Sequence, residues 1–131
     1  MKKWKQILLL LLVMMPSFFF LSRAFSSNRA VLDEGTLDIS GPGGLELPLS
    51  EVSEVSWLEE LPDLAGTPGF SLGLIKKGNF IRAADGMEIR VIRNADQGFI
   101  HLNTEIGEIY FNLKSEEETR ALYRDLLSAS P

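Results

Sequence analysis

Residues 66–80, GTPGFSLGLIKKGNF, combine four glycines with two adjacent lysines and invite comparison with a phosphate-binding loop. In such a loop a Gly-Lys-Ser/Thr motif leads directly into a helix, so that backbone N–H groups converge on the anion. Here Lys77, Gly78 and Asn79 lead into a strand-like sequence instead. We therefore predict that the glycines shape the backbone and do not bind a phosphate.

Each glycine of this segment suits a backbone role. Gly66 and Gly69 lie on either side of a Thr-Pro pair and predict a turn. Gly73 falls where a curved strand must bend sharply. Gly78 followed by Asn79 predicts a tight hairpin, because both residue types tolerate positive φ.

Basic residues offer a second kind of chemistry, the binding of an anionic lipid or polymer. Five of them are spaced along neighbouring strand-like segments, where they would converge on one surface: Lys76, Lys77, Arg82, Arg90 and Arg93. The alternative is a solvated face that balances the acidic segments of the chain. The sequence leaves both interpretations open.

Catalytic candidates are sparse. Glu105 and Glu108 flank a turn and resemble the paired carboxylates of a glycosidase, but such a pair needs a cleft that separates the two roles. His101, the only histidine, alternates outward between Ile100 and Leu102, and no Ser/Asp pair at motif spacing accompanies it. The absence of cysteine excludes a thiolate catalyst and a disulfide framework. We predict no enzyme activity, no metal site and no cofactor.

The N-terminus has the pattern of a targeting segment. Three lysines precede residues 7–21, fifteen residues without a charge, and the positive-inside rule then places the rest of the chain outside the cytoplasm. As a helix this run spans about 22 Å, against a hydrocarbon core of about 30 Å. Two outcomes remain open: a retained single-pass membrane anchor, or a signal peptide cleaved after Ala24, where Ser22 and Ala24 form a small-x-small site. We assign residues 1–30 to this segment and residues 31–131 to one domain.

The charge distribution limits the partners of that domain. The net charge is −5, and residues 33–65 carry nine acids and no base. Nucleic-acid binding rests on many Lys and Arg contacts to phosphates, so we expect no nucleic-acid partner. With 131 residues, 45% of them hydrophobic, the chain has enough material for one core.

Within residues 31–131 the apolar period is mostly two. Segments 87–93, 98–103 and 108–113 alternate and are separated by turn sequences, which predicts three consecutive antiparallel strands. Asp85-Gly86 predicts a hairpin before the first of them. Weaker strands are expected at 36–40, 52–57 and 70–76. The inward positions of the three main strands are Met87, Ile89, Val91, Ile100, Leu102, Ile109, Phe111 and Leu113.

A C-terminal helix follows. Ser115 and Glu118 form a capping box, and acids fill the first turn, where the helix dipole favours them. An apolar stripe lies at helical spacing: Thr119, Leu122, Tyr123, Leu126 and Leu127. Trp57 is expected to bury its ring near this helix. Together these elements predict a mainly β fold, a small antiparallel barrel or roll of about seven strands capped by one helix.

These segments resemble the bacterial pleckstrin-homology (PH) domain family over nearly all of residues 36–129. The most specific features are a Gly-x-Pro-Gly segment at 66–69, Lys-Gly-Asn-Phe at 77–80, and a final strand that leads into a capped helix. The resemblance implies a PH-like barrel. Relatives often carry two membrane helices, whereas this chain has one apolar run. The basic loop with which eukaryotic PH domains hold inositol phosphates is missing, because residues 33–65 contain no base.

Two classes of function follow. The first is a PH-like module, tethered to the membrane or secreted, that binds a protein or peptide through the barrel edge or the face beside the helix. Its variant is the anionic lipid or polymer binder described above. The second class is a secreted hydrolase or small-molecule binder, which needs a polar internal pocket that the apolar inward faces do not indicate.

Overall fold

A computed structural model describes the chain in five ranges: residues 3–9, 28–66, 70–72, 75–96 and 98–129. Residues 3–9 are helical and form α1. Most of the predicted anchor or signal peptide, with its cleavage site after Ala24, lies outside the described residues. Within the described ranges, no helix combines the length and the apolar character needed to cross a membrane.

Two sheets and a C-terminal helix account for the remainder of the described chain. The smaller sheet is antiparallel, in the order β1-β2-β3, and comprises β1 (Arg29–Asp33), β2 (Thr36–Ser40) and β3 (Leu45–Pro48). A short 3₁₀ turn, Leu49–Glu51, leads to the larger sheet. The strands of that sheet are β4 (Val52–Leu58), β5 (Leu64–Gly66), β6 (Phe70–Leu72), β7 (Ile75–Arg82), β8 (Glu88–Arg93), β9 (Phe99–Thr104) and β10 (Gly107–Phe111). Helix α2 (Glu116–Ala129) follows.

The larger sheet has the order β4-β9-β10-β8-β7-β5, and β6 also pairs with β7. The β9–β10 hairpin is confirmed, with Thr104 opposite Gly107. However, β8 does not pair with β9. It lies parallel to β10, with Ile109 opposite Arg90, so the prediction of three consecutive antiparallel strands is wrong at this point. Side-chain alternation defines the two faces of a strand but does not identify its neighbours.

The fold is mainly β with a C-terminal helix, as predicted, but the sheet does not close into a barrel. Its path ends at β4 on one side and at β5 on the other, and these two strands do not pair in the described structure. The first three strands form a separate sheet that packs over one face of the larger one. The expected closed barrel is therefore corrected to two sheets and one helix.

Apolar side chains cover both faces of the larger sheet. The main core joins both sheets and α2, and its fully buried members include Leu37, Phe111 and Leu126. A second cluster on the opposite face contains Phe80, Ile89, Val91 and Tyr110. Of the predicted inward positions all are buried except one.

That exception is Met87, which is 51% exposed because it precedes β8 at the end of the sheet. Leu127, which the sequence assigns to the apolar stripe of the helix, is also largely exposed.

The helix begins as predicted, since the Glu118 N–H donates to Ser115 Oγ at 3.2 Å. Trp57 is half-buried against the main core and stacks at a tilt on Tyr123, with ring centroids 5.6 Å apart.

The predicted hairpin at Gly78 and Asn79 is wrong, because both residues lie inside β7. Gly78 does have a positive φ of 117° and sits opposite Val91. The β2–β3 turn packs against it so closely that a Cβ atom on Gly43 would lie 3.1 Å from the Gly78 nitrogen. Gly73 and Gly69 lie outside the described residues, so their predicted bend and turn do too.

Candidate functional site

A groove of about 840 Å³ runs between β1 and α2. Its floor is apolar, with Leu113 and Leu122 buried and Leu32 half-buried against the main core. Ala121 lies on the helix wall. Charged side chains of both signs line the remainder: Arg29, Lys114, Glu118 and Asp125.

β1 contributes four of its five residues, 29–32, to this groove and is an edge strand of the smaller sheet. In the part of the chain that the structure describes, no other strand pairs with its outer side. An edge strand presents a row of backbone N–H and C=O groups that can pair with another chain. Val31, in the middle of β1, is exposed. The groove thus combines backbone hydrogen-bonding capacity with an apolar floor.

The five basic residues of the predicted anion site do not converge. Cross-strand pairing places Lys76 opposite Arg93 on one face of the sheet, whereas Lys77 is opposite Ile92 on the other. Arg90 donates to the Gly43 carbonyl at 3.0 Å. The five residues therefore lie in three separate environments. Lys76 and Arg93 line a groove, and Lys77 and Arg90 lie on the face that contacts the smaller sheet. Arg82 lies at the far end of β7.

Lys77 is 4% exposed, an unusual position for an ammonium group. Its Nζ donates to the Oδ1 atoms of Asn28 and Asn94. Asn28 also donates from Nδ2 to the carbonyls of Ser40 and Pro42, which fixes the start of β1 against the β2–β3 turn. Burial lowers the pKa of Lys77 to about 8. This lysine connects the two sheets and is not available to an external anion.

Lys76 and Arg93 line a second groove, of about 460 Å³, with Leu61 and Phe99 on its apolar side. Acidic residues line the same groove: Glu60, Asp63 and Asp96. Arg93 Nη2 is 3.0 Å from a carboxylate oxygen of Asp96. The positive charge of this groove is therefore largely balanced within it.

Arg82, the last residue of β7, belongs to a polar network with side chains of β4, β9 and β10. It forms ion pairs with Asp85 at 2.6 Å and with Glu108 at 2.8 Å, and it donates to Tyr110 Oη at 2.9 Å. Hydrogen bonds to both carboxylates raise the pKa of Arg82. The Arg82 guanidinium in turn lowers the pKa of Glu108 to about 2. Glu108 is therefore ionised around neutral pH.

His101 lies in the same network. Its Nδ1 is 3.2 Å from Ser56 Oγ, and its Nε2 is 2.8 Å from Glu108 Oε1. This Ser-His-Glu series was not expected, because the three residues come from three strands and share no sequence motif. Glu108 is already held by Arg82 and Tyr110. Neither Ser56 nor His101 lines any of three grooves formed by the described residues.

The sequence predicted a binding face beside the helix but did not identify β1, the strand that forms the other wall of this groove. β1 has only five residues and follows directly after the targeting segment, so its short alternation was not read as a strand. The signal that remained was the outward Val31 between Ala30 and Leu32. Among the described residues, no cluster of His, Asp or Glu has the geometry of a metal site.

Comparison with known proteins gives no identification: no family, no curated protein and no solved structure matches this chain.

Proposed function

We propose that this chain is a non-enzymatic, PH-like binding module that holds an extended peptide of a partner protein in the groove between β1 and α2. The observation that carries the proposal is the free edge of β1 beside an apolar floor. A peptide that adds a strand to β1 gains backbone hydrogen bonds, and its alternate side chains face Leu32 and Leu122. Apolar side chains at these alternate positions would make the contact selective.

The proposed module acts at the membrane. Residues 7–21 hold it there as a single-pass anchor with the domain outside the cytoplasm, and the alternative is secretion after cleavage near Ala24. Protease added outside intact cells would degrade an extracytoplasmic domain. An N-terminus at Phe25 in the mature protein would identify cleavage, and an intact Met1 in the membrane fraction would identify the anchor.

The groove is tested by a matched pair of substitutions on α2. Ala121 lines the groove, whereas Ala129 lies on the same helix and is exposed outside it. Peptides selected from a random display library against the full chain are expected to bind Ala129→Arg normally and Ala121→Arg at least about tenfold more weakly. Equal binding to both variants would contradict the proposal.

Strand addition has its own test within that experiment. Methylation of alternate backbone nitrogens in a selected peptide removes the N–H groups that would pair with β1, so binding is expected to fall in a pattern of period two. A peptide that tolerates methylation at every position binds in another way.

A second candidate function is the binding of an anionic lipid or polymer. The observation that favours it is the cross-strand pair Lys76 and Arg93 in one groove. In this case Lys76→Ala with Arg93→Ala abolishes binding to vesicles that contain phosphatidylglycerol, and added salt weakens the wild-type interaction. Because Asp96 and two further acids share that groove, we rank this candidate second.

A further inference from the structure

Met87 and Ile106 are exposed apolar side chains at one end of the larger sheet. Met87 is 51% exposed and Ile106 is 66% exposed. β8 and β10 are parallel neighbours with Ile109 opposite Arg90, and towards the starts of the two strands Glu88 and Ile106 line one cleft. Met87 directly precedes β8 and Ile106 directly precedes β10, so both residues lie at the same end of these parallel strands.

The surface beneath Ile106 is concave. Ile106 lines a cleft of about 410 Å³ together with Ile89 and Ile109, and the charged residues Glu88 and Arg90 also line it. Single exposed apolar residues are common on protein surfaces, but two of them at the same end of a sheet, with a cleft beside one, form a patch that a partner protein can cover.

Acidic side chains surround the patch. Glu88 and Glu105 are exposed and directly follow Met87 and precede Ile106, respectively. Glu51 lies beside them, since the Glu105 N–H donates to its backbone carbonyl at 3.0 Å. The patch therefore has a negative rim.

The two basic residues near this end, Arg82 and Arg90, do not offset that charge. Arg82 is already paired with two carboxylates, Asp85 and Glu108. Arg90 adds one more positive charge, but with Glu51, Glu88 and Glu105 this end of the described sheet has five acids and two bases and is therefore negative.

The patch lies far from the point where the targeting segment joins the domain. The Asn28 backbone N–H donates to Asn94 Oδ1, and Asn94 directly follows the last residue of β8. Met87 precedes the first residue of the same strand. Six strand residues span about 20 Å, so the tether and the patch are at opposite ends of the sheet.

We propose that Met87, Ile106 and their acidic rim form a second docking surface, for a protein that presents an apolar pocket ringed by Lys and Arg. Opposite charge on the partner matches the rim, and the apolar pair provides the buried contact. A lipid bilayer fits less well, because its anionic headgroups repel the rim and the tether holds the other end. This inference takes only the membrane tether from the proposed function, and it does not depend on peptide binding in the β1–α2 groove.

The test places a photo-crosslinking residue, p-benzoyl-phenylalanine, at position 106 of the full chain in its native membrane. The expected adduct is with a protein whose cross-linked segment is net basic. The double substitution Glu88→Lys with Glu105→Lys should reduce the cross-linking yield at least about tenfold. In the protein that keeps both glutamates, added salt should also lower the yield. Asp38→Lys with Glu46→Lys, exposed acids of the smaller sheet, serves as the matched control and should leave the yield unchanged.

Three results would overturn the proposal: an adduct with lipid, no protein adduct, or a protein adduct that charge reversal at Glu88 and Glu105 does not affect. Unfolding in urea shows whether each charge-reversed chain is folded before its yield is compared. Ala121→Arg separates this surface from the groove. It should abolish binding of the selected peptides and leave the adduct at position 106 intact, whereas loss of both would mean that the two surfaces are not independent.

Discussion

The Nζ atom of Lys77 and the Oδ1 atom of Asn28 meet between the two sheets, which joins the start of β1 to the interior of β7. Asn94 Oδ1 accepts a second hydrogen bond from the same Nζ. A neutral amine has two N–H donors, which matches these two acceptors, whereas an ammonium ion carries a third donor and a charge that burial penalises. The position of β1, and with it one wall of the peptide groove, therefore depends on a titratable group.

The first prediction concerns the pH dependence of stability. The pKa of Lys77 is about 8 in the folded protein against 10.5 ordinarily, so the unfolded chain binds more protons between these values. The free energy of unfolding should therefore rise with pH across this window, and the gain is lost as the pH falls through 8. We expect a rise of roughly 1 to 2 kcal/mol after solvent screening. Urea unfolding at pH 7 to 10 measures it.

Lys77→Met is the control for that prediction, because it removes the titrating amine and keeps a long side chain. Subtracting the two pH profiles also cancels the contribution of Tyr110, whose pKa is raised by burial, because both proteins contain it. Parallel pH profiles for the two proteins would show that Lys77 does not titrate differently on folding.

The second prediction concerns Arg82 and Glu108. Arg82 holds the pKa of Glu108 near 2, so Glu108 stabilises the fold above its ordinary value of 4.5, and this is lost as the pH falls through 2. Arg82→Met should raise the pKa of Glu108 and cost about 1 to 2 kcal/mol at pH 7. Carboxyl NMR shifts of Glu108 and urea unfolding measure the two effects.

Arg120→Met is the matched control for this pair. Arg120 forms an exposed ion pair with Glu116 on α2 and lies over the Trp57 ring, and because Met keeps part of that packing its loss should cost less than about 1 kcal/mol. An unchanged pKa of Glu108 in Arg82→Met would mean that Tyr110 and His101 alone hold its charge.

Local patterns in the sequence predicted most of the strands and the helix. The alternation around Ile100 and Leu102 and the capping box at Ser115 are both present in the structure. These features depend on residues within a few positions of each other, which a single sequence contains. Burial on both faces was not expected, because Phe99 and Tyr110 occupy positions that alternation assigns to solvent.

Long-range relations could not be predicted in the same way. The parallel pairing of β8 with β10 depends on the path of the β8–β9 connection, which leaves no periodic signal. The sequence predicts one shared surface for Lys76 and Lys77, because nothing local distinguishes the environments of two adjacent lysines. Its environment is set by Asn28, 49 residues away. The β1 wall of the candidate groove was not predicted either, because the groove forms between β1 and α2, which lie at opposite ends of residues 28–129.

The third prediction compares two adjacent leucines of α2. Leu126 is fully buried in the main core, whereas Leu127 is 48% exposed. Leu126→Ala should lower the free energy of unfolding by about 2 to 4 kcal/mol through lost burial and a residual cavity. Leu127→Ala should cost less than about 1 kcal/mol. Similar losses at both positions, measured by urea unfolding, would contradict the helix orientation that forms the groove wall.

The fourth prediction compares two glycines with similar positive φ, Gly98 at 85° and Gly86 at 71°. A Cβ atom at Gly98 would lie 2.9 Å from Cζ2 of Trp57 and 3.3 Å from Cγ of Glu116, whereas a Cβ atom at Gly86 would meet nothing within 4 Å. Gly86→Ala should therefore cost only backbone strain, about 1 kcal/mol.

Gly98→Ala adds a steric conflict to the same strain. Trp57 cannot retreat easily, because Tyr123 and Arg120 pack on its ring, the latter 4.4 Å from the ring centroid. We expect a total loss of about 2 to 4 kcal/mol, seen as a lower urea midpoint with an unchanged slope. Equal midpoints for Gly98→Ala and Gly86→Ala would mean that strain alone acts and that Trp57 does not fix the β8–β9 loop against the start of α2.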